Sequence, residues 1–279
     1  MQHRPLGNTG IHVPILALGC GRLSITAMEH DDAIRLLHRT LDLGVTYIDT
    51  ATSYGGGESE RRIGEALAAR RGEVFLATKI DARSKDSAAR EIQESLARLG
   101  TDYVDLLQLH GVNDEATLTQ VLAPDGALRA LEAARTAGQV RFIGITGHLN
   151  PGVLAQALES YPFDTVLMPA GCMDHLYGDF VPVVEPVAAR KGVAVLGMKV
   201  FGHGAFQGRA DLALRYALGQ PVSSVLVGMS SPAQLEENVA VAESFALLTD
   251  AERAELEALA RPAATLEGMW WRRPVGAAR

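Results

Sequence analysis

The sequence predicts an α/β fold, a (β/α)8 barrel of the TIM type with an N-terminal β-hairpin and a C-terminal helix and tail. Two observations carry this. Short, β-rich apolar runs alternate eight times with amphipathic helical stretches, the pattern of a parallel sheet wrapped by its crossover helices. Four polar residues, Asp49, Tyr54, Lys79 and His110, fall at or just beyond the ends of three successive runs. A parallel barrel gathers those ends on one face, where such barrels place their chemistry.

Taken in order, residues 2–13 read as a hairpin turning at Gly7-Asn8-Thr9-Gly10. Strands are expected at 15–19, 45–49, 74–78, 104–109, 141–145, 164–168, 193–197 and 223–227. Helices are expected near 31–43, 59–70, 87–99, 126–137, 151–159, 180–190, 209–218 and 232–243, with a last one at 250–260. Ile34, Leu37, Leu41 and Ile92, Leu96, Leu99 are apolar stripes at helical spacing. Gly44, Gly100, Gly138 and Gly192 stand where left-handed C-terminal caps need glycine, and Ser59 and Ser87 where N-caps are expected. An open doubly wound sheet is the alternative, but Gly19-Cys20-Gly21-Arg22-Leu23-Ser24 matches its glycine-rich turn poorly. No linker or repeat interrupts the pattern, so residues 1–279 are expected to form one domain.

A 279-residue chain with 47% apolar and 21% charged residues can bury a large core. Its net charge of −7 argues against nucleic acid as the main partner. Cys20 and Cys172 form no close pair and read as reduced intracellular thiols. The N-terminus lacks a signal-peptide core, and no run approaches the ~18 apolar residues of a membrane span. A soluble cytoplasmic protein acting on small molecules is expected.

The polar quartet suits one kind of chemistry. A phenol is a weak acid at neutral pH, and a nearby ammonium lowers its pKa by stabilising phenolate. Lys79 can supply that charge, Asp49 can hold Lys79, and His110 can direct a substrate oxygen. Such a set can protonate a carbonyl oxygen as hydride reaches its carbon, or run the reverse. No side chain donates hydride, so a nicotinamide is required.

Several motifs then point the same way. Gly44-Val45-Thr46-Tyr47-Ile48-Asp49-Thr50-Ala51-Thr52-Ser53-Tyr54-Gly55 resembles the first signature of the aldo-keto reductases. Residues 95–106, Ser-Leu-Ala-Arg-Leu-Gly-Thr-Asp-Tyr-Val-Asp-Leu, running on to His110, resemble the second. The likeness continues through 138–145 and 227–238, covering nearly the whole chain. It implies a catalytic tetrad of Tyr54 as general acid, Lys79 and Asp49 tuning it, and His110 orienting the carbonyl. It also implies a dinucleotide held by Gly21 and Arg22, by Thr146, Met168 and Met198 around the nicotinamide, and by Lys199, Val200, Phe201, Gly202 and Gly204 over the pyrophosphate. The adenosine end falls to Gly228, Met229, Ser230, Gln234, Glu237 and Asn238.

Thr146-Gly147, Met168 and Met198 depart from the Ser-Asn, Gln and aromatic residues common in the family. No Lys or Arg occurs from 217 to 252, where many relatives bind the 2′-phosphate of NADPH. NADPH is the expected cofactor on the family's preference, with NADH usable. Substrate choice is expected from loops near 23–29, 112–122 and 171–179 and from the Trp270-Trp271 tail, whose rings either close the mouth or pack against the barrel.

Three other readings compete. His110, His148, His175 and His203 near strand ends suggest a zinc hydrolase, but no HxH or HxxxH pair occurs, and no metal ligand is assigned. A Schiff-base lyase would use Lys79, which Asp49 would keep charged. A nucleotide-binding regulatory protein of the same fold would keep the barrel with little turnover.

Overall fold

The pleat of each barrel strand sends alternate side chains inward, and the polar residues at the strand ends follow that alternation. The structure, a computed structural model, describes residues 1–24, 28–206 and 208–273; the side chain of His203, like residues 25–27 of the first specificity loop, lies outside that description. The hairpin is β1 (His3–Pro5) and β2 (His12–Pro14), paired antiparallel. Eight parallel strands close the barrel: β3 (Leu16–Gly19), β4 (Tyr47–Asp49), β5 (Phe75–Ile80), β6 (Val104–Leu109), β7 (Val140–Thr146), β8 (Thr165–Pro169), β9 (Ala194–Met198) and β10 (Ser224–Val227). β10 returns to pair with β3, Val225 opposite Leu16.

Helices α1 (His30–Asp42), α2 (Glu58–Leu67) and α3 (Lys85–Leu99) follow the first barrel strands. α4 (Glu115–Leu122) and α5 (Ala127–Thr136) follow β6, and α6 (Pro151–Ser160) follows β7. α7 (Cys172–Gly178) and α8 (Val181–Lys191) follow β8, α9 (Ala210–Leu218) follows β9, and α10 (Pro232–Glu243) and α11 (Asp250–Ala260) complete the set. α4 and α7 lie within the segments expected as specificity loops. Among the described residues, no helix is long and apolar enough to cross a membrane.

Two apolar cores result. One fills the space between strands and helices. The other runs up the barrel through Ala17, Tyr47, Ala77, Leu106, Leu167, Leu196 and Leu226, and Leu6 and Val13 of the hairpin cap its lower end. Gly44, Gly100, Gly138 and Gly192 are all left-handed, as expected. Neither serine is the N-cap. α2 begins after left-handed Gly57, and buried Ser59 instead donates to the Cys20 carbonyl at 3.0 Å, its oxygen 2.9 Å from Thr50 Oγ1. Ser84 precedes α3, and its hydroxyl donates to Ser87 at 3.1 Å.

Candidate active site

β4 and β5 run side by side, and each turns its last inward residue into the barrel mouth. There Lys79, almost fully buried, donates to Asp49 Oδ1 and, at 2.7 Å, to the Thr50 carbonyl. Asp49 Oδ2 accepts from Gln108 Nε2 at 2.9 Å. Gln108 lies opposite Lys79 on β6 and was not singled out from sequence, although it shares the inward face of that strand with Leu106. Burial opposes charge on Lys79, but Asp49 and Tyr54 outweigh it, so its pKa lies above the ordinary value. The group is a held ammonium rather than a free amine, which removes the basis for a Schiff-base nucleophile.

Tyr54 stands over this pair. Lys79 Nζ is 5.2 Å from its ring centroid. The turn that presents it carries Gly55, Gly56 and Gly57 at φ 60°, 63° and 89°. A Cβ on Gly55 would meet Ser24 Cβ at 2.6 Å, and one on Gly57 would meet Arg98 Cδ at 2.6 Å, so the turn is packed where only glycine fits. Behind it, buried Glu60 accepts from Thr78 Oγ1 at 2.7 Å, Ser95 Oγ at 2.5 Å and Arg98 Nε at 2.7 Å, tying α2 to β5 and α3. The expectation that Lys79 lowers the phenol's pKa needs correction. Lys79 does favour phenolate, but burial is the larger effect and the pKa lies above 10.0.

The structure brings the four expected residues together. The His110 ring is edge-on to Tyr54 at 6.1 Å, and its Nδ1 lies 2.9 Å from Asp81 Oδ1, out of line for a good hydrogen bond. Asp81 is held below the usual carboxylate range: burial acts to raise it, but His110 outweighs that. Of the other histidines, His148 lies 6.5 Å from His110, ring to ring, whereas His175 pairs with Asp179 at 2.7 Å. Among the described residues, no group of three or more His, Cys, Asp or Glu is placed to hold a metal ion.

The expected nucleotide contacts divide. Gly21 and Arg22 are exposed on the turn after β3; a Cβ on Gly21 would lie 3.7 Å from the Tyr54 ring. A Cβ on Gly228 would meet Arg22 Cγ at 3.5 Å, so the stem of Arg22 packs beside Gly228 from a distant part of the chain. Ser230, Gln234 and Glu237 are exposed, and the Ser230 amide donates to Gln234 Oε1 at 2.8 Å. Met168, Val200, Met229 and Asn238 are buried. Met168 shares the outer face of β8 with Val166, in the layer under the helices. Thr146 is also buried, its hydroxyl accepting from the Gly111 amide at 2.9 Å. Met198 and Phe201 are half-buried, and Gly202 and Gly204 frame a single helical turn. Lys199 is the one non-glycine residue with positive φ, 63°, among those described, a strained conformation of the kind found at functional sites.

Sequence reading left the tail's role open, and the structure divides it. Trp271 is buried and donates to Asp174 Oδ1 at 3.2 Å. Arg272 donates to the Gly178 carbonyl at 2.5 Å and the His148 carbonyl at 3.3 Å. Trp270 remains half exposed, with Lys199 Nζ 4.5 Å from its ring. Burial and nearby Lys79 lower Lys199 to about 8. Burial raises Asp174 to about 7, and its Oδ2 has no hydrogen-bond partner. Thus Trp271 packs the tail down while Trp270 borders the mouth.

The chain matches the model of the aldo/keto reductase family over residues 15–211 and 209–261. It is 32% identical to an L-galactose dehydrogenase from Arabidopsis thaliana, over 95% of this chain and 96% of that protein. It is 30% identical to a D-threo-aldose 1-dehydrogenase from a Pseudomonas species, over 76% of this chain and 73% of that one. Among solved structures, an aldo-keto reductase from Bacillus halodurans in its holo form superposes with a TM-score of 0.78 at 27% identity, covering 93% of this chain and 96% of that one.

Proposed function

Because the chain belongs to the aldo/keto reductase family of oxidoreductases, we propose that it interconverts a small aldehyde or ketone with its alcohol, using a nicotinamide cofactor and Tyr54 as general acid. The observation that carries this reading is the buried ammonium–carboxylate pair of Lys79 and Asp49 beneath a phenol. A phenol held above pKa 10.0 is fully protonated at neutral pH and can give its proton to a carbonyl oxygen. The ammonium beneath it then stabilises the phenolate left behind. His110, steadied by Asp81, orients the same oxygen. A bound dihydronicotinamide supplies the hydride, so the carbonyl carbon gains hydride and its oxygen gains the Tyr54 proton.

Several residues around the mouth fit such a cofactor. Gly21, Gly204 and Gly228 leave backbone open to close approach, and Arg22 and Lys199 bring positive charge to phosphates. We assign NADPH as the preferred cofactor and NADH as a usable one. The net charge of −7 and two buried free cysteines support a cytoplasmic enzyme of small molecules, with residues 1–279 acting as one catalytic domain. The relatives named for L-galactose and D-threo-aldose make hydroxylated carbonyl compounds the first substrates to try. NADPH and NADH oxidation should be followed with a panel of aldehydes, ketones and aldoses. Turnover with several members is expected; tight nucleotide binding without turnover of any member would favour the regulatory reading instead.

A further inference from the structure

His148 follows β7 and is fixed at both ends of its backbone. Its amide donates to Asn113 Oδ1 at 2.7 Å, and its carbonyl accepts from Arg272 Nη1. The loop after β6 and the C-terminal tail thereby hold it against the mouth. The preceding position cannot contribute a side chain, since a Cβ on Gly147 would meet the Val112 carbonyl at 2.7 Å. Thr146 before it is sealed by the Gly111 amide. His148 is the first residue of this loop free to turn its side chain toward His110. Its ring faces that of His110 at 6.5 Å and 62°, and it has no hydrogen bond to any described residue.

We propose that His148 recognises a hydroxyl on the carbon next to the substrate carbonyl, making the enzyme selective for 2-hydroxyaldehydes and 2-hydroxyketones. The inference rests on the carbonyl-reductase reading and narrows it to a substrate class. With the carbonyl oxygen at Tyr54 and His110, a substituent on the adjacent carbon would extend toward the His148 ring, 6.5 Å from that of His110. Burial, then Lys199, His110, Lys79 and Arg272, keep His148 uncharged well below the usual imidazole range. A neutral imidazole donates through one nitrogen and accepts through the other, which matches a hydroxyl and suits an anion poorly. The nearby cations have other partners: Arg272 bonds to Gly178 and His148, and Lys199 lies over Trp270.

The test compares lactaldehyde with propanal, which differ by the one hydroxyl, as the ratio of their kcat/KM values. Wild type should favour lactaldehyde by about tenfold or more, the worth of one good hydrogen bond in a dry site. In His148→Phe and His148→Ala the ratio should fall toward one, while His148→Asn, which keeps a donor and an acceptor, should restore part of it. A purely structural role would slow both aldehydes together and leave the ratio alone. Fluorescence titration of NADPH binding runs in parallel. An unchanged ratio in the Phe and Ala variants overturns the proposal. So does weakened NADPH binding with the ratio intact, which would assign the ring to the nucleotide. If wild type reduces neither aldehyde nor any ketone or aldose of the panel, the carbonyl-reductase reading itself falls, and this inference with it.

Discussion

Both ends of the barrel bury polar groups, but they use them differently: the strand starts hold Asp105, paired with Arg71 and Arg141, and leave the Tyr47 and Thr165 hydroxyls without partners. At the lower end, the hairpin caps the bore with Leu6 and Val13, and its polar groups meet main-chain partners. Asn8 donates to the Gly192 carbonyl at 2.8 Å, Ser223 to Pro5 at 2.8 Å, Ser224 to Pro14 at 2.7 Å, and Arg4 to Val222 and Leu218 at 2.8 Å each. The upper end buries an ammonium and a carboxylate, leaves Gln108 Oε1 and Asp174 Oδ2 without partners, and holds Lys199 in a left-handed conformation. Desolvating charge and polar atoms costs stability, so this arrangement persists because packing elsewhere over-determines it.

Breaking the upper end should have the largest effect. Lys79→Met removes the charge that favours phenolate and leaves Asp49 buried with Gln108 alone. Carbonyl reduction should fall by about 10²–10⁴-fold, and losing one partner of a buried pair should cost about 3–5 kcal/mol. Steady-state kinetics and urea denaturation measure the two effects. A mild change in both would mean that the pair is incidental. At the lower end, Leu6→Ala should cost about 2–5 kcal/mol in the same denaturation experiment. It should leave kcat per folded molecule near that of wild type; a large loss of kcat would show the two ends to be coupled.

The smallest effect belongs to the upper rim. No Lys or Arg lies between 217 and 252, and Arg22 reaches the rim from the turn after β3. Ser230→Arg should shift the kcat/KM ratio toward NADPH over NADH by about 1–3 kcal/mol, because only NADPH carries a 2′-phosphate to meet the guanidinium. Wild type should already use both cofactors. Rejection of NADH by several orders of magnitude would place strong phosphate recognition elsewhere.

This contrast also explains what was legible in the sequence. The hairpin turn, the eight strands and the glycine caps are local patterns, and each appears where its periodicity or turn chemistry puts it. The quartet was legible because strand ends in a parallel barrel share a face, which converts four distant residues into one site. Gln108 escaped because one amide inside an apolar run looks like a tolerated polar residue until the fold sets it against Asp49. The Trp271–Asp174 bond and the approach of Arg22 to Gly228 join residues far apart in sequence, and no local spacing announces them. The phenol's raised pKa depends on how much protein surrounds it, which neighbouring charges do not reveal. α4 and α7 are short helices inside βα loops, where the eightfold alternation predicts only connections.

The central claim is that Tyr54 gives the proton. Tyr54→Phe keeps the ring and removes only the hydroxyl, so nucleotide binding by fluorescence titration should stay near wild type while single-turnover reduction of a good aldehyde falls by about 10²–10⁴-fold. In wild type, a phenol held above 10.0 should keep reduction flat across neutral pH and lose it only as pH rises through that raised value, as the donor deprotonates. Near-normal turnover in Tyr54→Phe, or a high-pH limb that survives it unchanged, would contradict the assignment.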